Sequence, residues 1–224
     1  MEYIGFKNEY HSGKIHIYNG DCMDLLKQTP DKYYDLAIVD PPYFKGPGDP
    51  AYYRSKAWQS NAKPITETWS VPGQEYFDEL LRVSKKQIIW GCNYYARFIP
   101  HTSRIVWDKV NDGTPFSQAE LASWSDGVKV YMYRYKWNGM IQQDMKNKEQ
   151  RFHPTQKPTA LYKWLLMNFA KQGDTILDTH FGSLSIGIAC HDLGFELTAI
   201  ELDKDYYEAG KKRLINHQKQ LNLF

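Results

Sequence analysis

The chain has 224 residues, 42% hydrophobic and 24% charged, enough for one substantial core with elaborated loops. A net charge of +2 and a pI of about 8.2 exclude a polyanion binder that works through its global field, so any nucleic-acid contact has to come from local patches. Aromatic residues reach 15%, with 17 Tyr and 7 Trp, a content that serves base stacking and core packing alike.

Residues 1–10 carry Glu2, Lys7 and Glu9 and no long apolar run, so neither a signal peptide nor a membrane span is expected there. Lys14 to Tyr18 reads as a short strand, Gly20-Asp21 as a turn, and Cys22 to Lys27 as a helix that Pro30 ends. Leu36 to Val39 is a buried strand. Residues 45–73 then form a polar stretch, opened by Lys45-Gly46-Pro47-Gly48-Asp49-Pro50, and compact domains rarely keep a loop of that length without a use for it. Gln74 to Ser84 has helical spacing, and Gln87 to Trp90 is a further buried strand ending at Gly91. Arg104 to Trp107 reads as a strand, Ser117-Gln118-Ala119-Glu120 has capping-box form, and Val128 to Tyr135 is a strand rich in β-branched and aromatic residues. Residues 137–151 are polar, with Lys136, Lys146, Lys148 and Arg151 in or beside them. Pro158 suits the first turn of a helix to about Lys171, Thr175 to Leu177 is a strand, Ser185 to Leu193 a helix, Leu197 to Ile200 a strand, and Lys204 to Gln220 a closing helix. This alternation predicts an α/β fold whose mostly parallel sheet is covered by helices on both faces. We expect one domain over residues 1–224.

Open α/β sheets bind ligands at the carboxyl ends of their strands. Asp40-Pro41-Pro42-Tyr43 follows one such strand, Asp178-Thr179-His180-Phe181-Gly182-Ser183 another, and Glu201-Leu202-Asp203 a third. A helix opening near Ser185 would aim backbone N–H groups at a bound anion. Glu201 stands where an acid accepts from both hydroxyls of a ribose, a spacing also found in nicotinamide-binding folds. Asp21 suits a cap of the helix that follows it. The cysteines Cys22, Cys92 and Cys190 are far apart, with neither metal-ligand nor disulfide spacing, which points to a reducing cytoplasm and to no bound metal.

Together these segments resemble the amino-methyltransferases of DNA, in the subgroup with permuted order whose catalytic motif comes first and cofactor motif last. The resemblance implies a Rossmann-like methyltransferase fold, S-adenosyl-L-methionine as cofactor and double-stranded DNA as partner. It makes Asp40, Pro41, Pro42 and Tyr43 the catalytic segment, with the Asp40 carboxylate and the Pro41 carbonyl accepting from the target amine and Tyr43 stacking on a flipped base. It assigns Asp21, Cys22, Asp178, His180, Gly182, Ser183, Leu184 and Glu201 to the cofactor, and brings Thr155 and Lys157, from His153-Pro154-Thr155-Gln156-Lys157-Pro158, near its methionine end. The family loop reads Asp-Pro-Phe-x-Gly-x-Gly, whereas this chain has Thr179, His180 and Leu184 at the positions of Pro, Phe and the last Gly. A side chain at Leu184 is therefore expected to crowd the closest backbone approach to the cofactor.

An aspartate as the first residue of the tetrapeptide is commoner among adenine-N6 enzymes and a serine among cytosine-N4 enzymes, so the resemblance implies adenine N6. Cytosine N4 stays open, as do a Rossmann-type oxidoreductase, which would leave residues 40–43 unused, and a DNA-binding relative without activity. Residues 45–73 and 137–151 are the candidate target-recognition insertions. Tyr52, Tyr53, Arg54, Lys136, Lys146, Lys148 and Arg151 are the candidate DNA contacts, with surface charge and loop packing as the competing reading. Relatives suggest a homodimer, and the sequence leaves oligomeric state open.

Overall fold

The computed structural model describes residues 3–44, 69–114, 116–138 and 141–221. Among the described residues nine strands form one mixed sheet: β1 (Asn8–Ser12), β2 (Ile15–Asn19), β3 (Tyr34–Val39), β4 (Ser84–Trp90), β5 (Ser103–Asp108), β6 (Ala119–Trp124), β7 (Val130–Arg134), β8 (Thr175–Asp178) and β9 (Glu196–Glu201). Their spatial order is β1-β2-β9-β8-β3-β4-β6-β5-β7. The run from β2 to β4 is parallel throughout. β1 closes one side as an antiparallel hairpin, while β6 runs antiparallel to both β4 and β5 on the other.

The apolar periodicity of the central strands explains why both faces are covered. In β3, Leu36 and Ile38 point into one core and Ala37 and Val39 into the other. Burying each of Leu36, Ile38 and Val39 contributes roughly 1.5–3 kcal/mol. Helices α1 (Cys22–Gln28) and α2 (Gln74–Val83) seal one face through Leu25, Leu26, Tyr76, Phe77, Leu80 and Val83. The other face takes α3 (Thr159–Phe169), α4 (Ser185–Leu193) and α5 (Lys204–Leu221).

Two features position the site. The chain leaves β3 through α2 to β4 on one side, and leaves β8 through α4 to β9 on the other, so a switch point opens between the adjacent strands β3 and β8. Asp40 and Asp178 stand at the two carboxyl ends that flank it. Because β6 is antiparallel to β4, its first residues also arrive at this edge of the sheet, and Glu120 comes with them.

The sequence pattern gives no sign of β1, and the capping-box form of residues 117–120 predicts a helix start. They enter a strand instead: Ser117 Oγ donates to the carbonyl of Ala119 at 2.7 Å, and β6 pairs on both sides. Pro158 is the residue preceding α3 and not part of its first turn. Among the described residues no helix is long and apolar enough to cross a membrane, and no group of His, Cys, Asp or Glu is arranged to hold a metal ion.

Candidate active site

Strand β3 delivers Asp40 to the floor of a cavity of about 810 Å³ that Pro41, Pro42 and Tyr43 also line. The Asp40 carboxylate is asymmetric in its surroundings. Its Oδ2 accepts from the Lys157 ammonium, and its Oδ1 is buried with no hydrogen-bond partner among the described residues. Burial pushes the Asp40 pKa above the usual carboxylate range, against the pull of Lys157. Lys157 is 3% exposed, reaches Glu120 Oε2 at 3.1 Å, and lies 5.2 Å from the ring centroid of Trp90. Glu120 accepts from Lys109 with its other oxygen. Burial would raise the Glu120 pKa, but Lys157 and Lys109 outweigh it and hold the carboxyl at about 2.

Lys157 is set in place by its backbone. Its carbonyl accepts from Ser185 Oγ at 2.8 Å, and Arg213 donates to Ser185 Oγ at 2.8 Å and to the Ser183 carbonyl at 2.9 Å. Pro158 offers α3 no side-chain cap, so Glu149 supplies one: its Oε1 accepts from Thr159 N at 3.0 Å, and its Oε2 from Arg213 at 2.6 Å. Residues 149–159 are thereby tied to α4 and α5.

The prolines fix the backbone beyond Asp40, and the Tyr95 hydroxyl donates to the Pro42 carbonyl at 2.5 Å and reaches the Pro41 carbonyl only at 3.4 Å. The Tyr43 ring stacks on Tyr94, centroids 4.4 Å and planes 2° apart. Gly91 makes this possible. It adopts φ +68°, and a Cβ there would lie 2.7 Å from Tyr43 Cδ1.

Across the cavity, the loop after β8 departs from the family pattern, and each departure has a local partner. Thr179 is buried and its hydroxyl pairs with Tyr76 at 2.6 Å and with His180 Nδ1 at 2.9 Å. His180 N donates to Asp178 Oδ1 at 3.0 Å, and the ring reaches Cys22 Sγ at 4.0 Å. Burial keeps His180 neutral, with a pKa of about 4, and drives Asp178 up to about 8. Gly182 adopts φ +49°, and His153 packs against it so closely that a Cβ would meet the ring at 3.1 Å. Glu201 Oε2 accepts from Gly182 N at 2.8 Å and its Oε1 from Asp203 N at 2.9 Å, while burial raises its pKa to about 7.

Leu184 overturns the expected crowding. It adopts φ 55°, ψ 32°, the left-handed region that glycine favours, but its side chain is fully buried and does not line the cavity. Gly187 and Gly210 make room for it: a Cβ on either would come within 2.7 Å and 3.1 Å of Leu184 side-chain atoms. Asp178 likewise lies behind the cavity wall, 1% exposed. The cavity does bring together Asp21, Cys22, Asp40 to Tyr43, Thr155, Lys157, His180, Gly182, Ser183 and Glu201. Asp21 also caps α1, accepting from Met23 N at 2.8 Å.

The sequence reading missed Glu120, Tyr94, Tyr95 and Leu202. Leu202 is an apolar side chain left 67% exposed beside Glu201, and an apolar residue flanked by two acids after a strand was the available signal. Of the candidate DNA contacts, Tyr52, Tyr53 and Arg54 lie outside the described residues. Lys146, Lys148 and Arg151 are exposed and Lys136 half-buried, and none lines the cavity. Residues 69–73, the described end of the first insertion, do line it.

The strand order, with acids at the carboxyl ends of β3 and β9 on either side of a glycine turn, is a Rossmann-like α/β arrangement, and solved methyltransferase structures share this fold. Comparison with known proteins agrees. A family model described as DNA methylase, of the N6/N4 amino-methyltransferases, matches residues 128–212. The chain is 23% identical over 251 residues to the Type II methyltransferase M2.DpnII of Streptococcus pneumoniae, across 93% of this chain and 92% of that protein. Among solved structures it is similar to an M1.HpyAVI–SAM complex, with a TM-score of 0.60 and 21% identity over 89% of this chain and all of that one. It is also similar to PvuII DNA methyltransferase (cytosine-N4-specific), with a TM-score of 0.60 and 14% identity over 92% of this chain and 89% of that one. These identities establish the fold, and the resemblance to DNA amino-methyltransferases read from the sequence stands. The M1.HpyAVI structure is a complex with SAM, the cofactor that the sequence resemblance implies.

Proposed function

We propose that this chain is an S-adenosylmethionine-dependent DNA methyltransferase acting on the N6 amine of an adenine swung out of the duplex. The observation that carries this reading is the Asp40 carboxylate, one oxygen committed to Lys157 and the other buried, without a partner among the described residues, beside a cavity that also holds Glu201. A buried acceptor without a donor is costly, and a substrate amine would satisfy it.

The cavity volume falls within the range of small-molecule sites, and its polar lining fits the cofactor. Glu201 would accept from the ribose hydroxyls, Asp21 has a second oxygen for the adenine amine, Leu202 offers an apolar face, and Gly182 with Ser183 would border the methionine moiety. When bound, the cofactor supplies an electrophilic methyl group on a sulfonium centre. The chain's own residues do the rest. The N6 lone pair is delocalised into the purine ring, and acceptance of its two hydrogens by Asp40 Oδ1 and the Pro41 carbonyl localises it and stabilises the positive charge that grows on nitrogen, which is discharged when one of those hydrogens leaves as a proton through Asp40 to solvent. The Pro41 carbonyl suits this because Tyr95 spends its short bond on Pro42. Tyr43, backed by Tyr94, would stack on the extruded base and offset roughly 1–3 kcal/mol of the flipping cost. Lys146, Lys148 and Arg151 are the exposed cations proposed to meet phosphates.

Transfer of labelled methyl from S-adenosylmethionine to unmethylated duplex DNA, followed by nucleoside analysis, tests the reading. N6-methyladenine is expected. N4-methylcytosine would keep the mechanism and change the target, and no product on diverse DNA despite cofactor binding would refute the proposal.

Glu201 carries a separate prediction. Glu201→Ala is expected to weaken cofactor binding roughly 10- to 100-fold, the loss of hydrogen bonds to a charged acceptor. The Glu201 pKa of about 7 sets a pH dependence: the carboxylate form that accepts ribose hydroxyls is depleted below that pH, so wild-type affinity should fall as pH drops from 8 to 6. Calorimetric titration of wild type and Glu201→Gln across this window checks the sign, the variant giving weaker and flatter binding. Unchanged affinity in Glu201→Ala removes Glu201 from the site.

A further inference from the structure

Asp40, Lys157, Glu120 and Lys109 form one continuous ion chain, two acids alternating with two bases, at the carboxyl edge of the sheet. The proposed chemistry uses Asp40 and leaves Glu120 without a task. Yet Glu120 is a half-buried carboxylate on an interior strand, on the face it shares with Trp107 and Ala122, and Ala122 in turn faces Trp90 across the β4–β6 pair. Charges are placed on such a face at a cost unless they are paired, and a buried ion pair seldom adds stability over apolar residues of similar size. Something other than stability then accounts for the second acid.

The geometry indicates what it does. Lys157 has little exposure and three N–H donors. One goes to Asp40 Oδ2 and one to Glu120 Oε2, and the ammonium also lies near the face of Trp90. With Glu120 present, Lys157 is divided between two carboxylates and Asp40 Oδ1 is left without a partner among the described residues. Without the Glu120 charge, the whole ammonium falls to Asp40, which both quenches its negative charge and offers a donor to Oδ1.

We propose that Glu120 is a positioning residue for Asp40: it holds half of the Lys157 ammonium, and so keeps one Asp40 oxygen a free acceptor for the substrate amine. This rests on the reading of Asp40 as that acceptor. The groups that face Asp40 set the expected pH behaviour. Burial raises its pKa, Lys157 and Lys109 lower it, Glu120 raises it, and Asp178, Tyr95 and Tyr162 are the remaining titratable neighbours. Removing the Glu120 charge therefore moves the Asp40 titration to lower pH.

Glu120→Gln in the full-length protein is the test. The expected result is a kcat for methyl transfer reduced roughly 10- to 100-fold, the scale of a misplaced catalytic group, with cofactor affinity unchanged and the acid limb of the kcat profile displaced to lower pH. Glu120→Asp should recover part of the rate. A carbon-13 NMR titration of labelled Asp carboxyls, with the Asp40 signal identified by its absence from Asp40→Asn, should show the same downward displacement. A merely structural Glu120 would lower the rate with both the limb and the NMR midpoint unmoved, and that result, or wild-type kcat in Glu120→Gln, overturns the proposal. If the wild-type protein transfers no methyl to DNA, the proposed function fails, and the coupling of Glu120 to Asp40 still stands or falls on the NMR midpoint.

Discussion

Asp40→Ala and Asp40→Asn are both expected to reduce methyl transfer by about 10² to 10³-fold or more, the loss seen when one preorganised group that stabilises transition-state charge is removed. The asparagine variant is the more informative, because in many sites an amide oxygen replaces a carboxylate oxygen as acceptor. Here Lys157 decides the amide's orientation. Its ammonium already occupies the Oδ2 side, so the amide must turn its oxygen there to avoid a donor facing a donor. The NH₂ group then takes the Oδ1 position and presents hydrogens to the hydrogens of the target amine. Asp40→Asn should therefore be nearly as impaired as Asp40→Ala.

Cofactor affinity should survive in both variants, since Glu201 and Gly182 are bonded to each other and not to Asp40. Lys157 retains Glu120 at 3.1 Å, so the fold should survive the loss of one partner better than an isolated buried pair would. Single-turnover methyl transfer beside calorimetric cofactor binding checks both halves. Loss of cofactor binding in a folded Asp40→Asn protein would refute the role given to Asp40.

The contrast between Asp40 and Glu120 shows what was legible in the sequence. Asp40 follows an apolar run and precedes two prolines, so strand, strand end and acid are all written within eight residues. Asp178 and Glu201 are legible for the same reason, and the alternation of apolar runs with helical spacing was enough to anticipate a sheet covered on both faces. Glu120 meets Lys157 across 37 residues of chain, by way of an antiparallel strand whose direction no local pattern specifies. Its neighbours Ser117 to Ala119 even imitate a helix cap, a local signal that pairing with β4 and β5 overrides. Strand β1 escaped notice because Asn8 to Ser12 is polar on an edge hairpin, where only one side needs a partner.

Leu184 was visible as a departure from the family loop, but its consequence was not, since the direction of its side chain depends on glycines 3 and 26 residues further on. That arrangement makes Leu184→Gly a sharp test of packing against backbone strain. A leucine at φ 55° costs about 1–2 kcal/mol relative to a right-handed conformation, and glycine would relieve it. The same substitution empties a fully buried site between Gly187 and Gly210, and loss of a buried leucine side chain costs roughly 2–5 kcal/mol. The cavity term is the larger, so Leu184→Gly should destabilise the protein by about 1–3 kcal/mol despite restoring the residue that the backbone prefers. Leu184→Ala keeps the strain and loses most of the packing, and should be less stable still. Denaturant unfolding should then rank wild type above Leu184→Gly and Leu184→Ala last. Cofactor affinity of the folded variants should be unchanged, because the Leu184 side chain faces the core and not the cavity. Greater stability in Leu184→Gly would mean that the strain outweighs the packing, and weaker cofactor binding in it would mean that Leu184 shapes the cofactor loop directly.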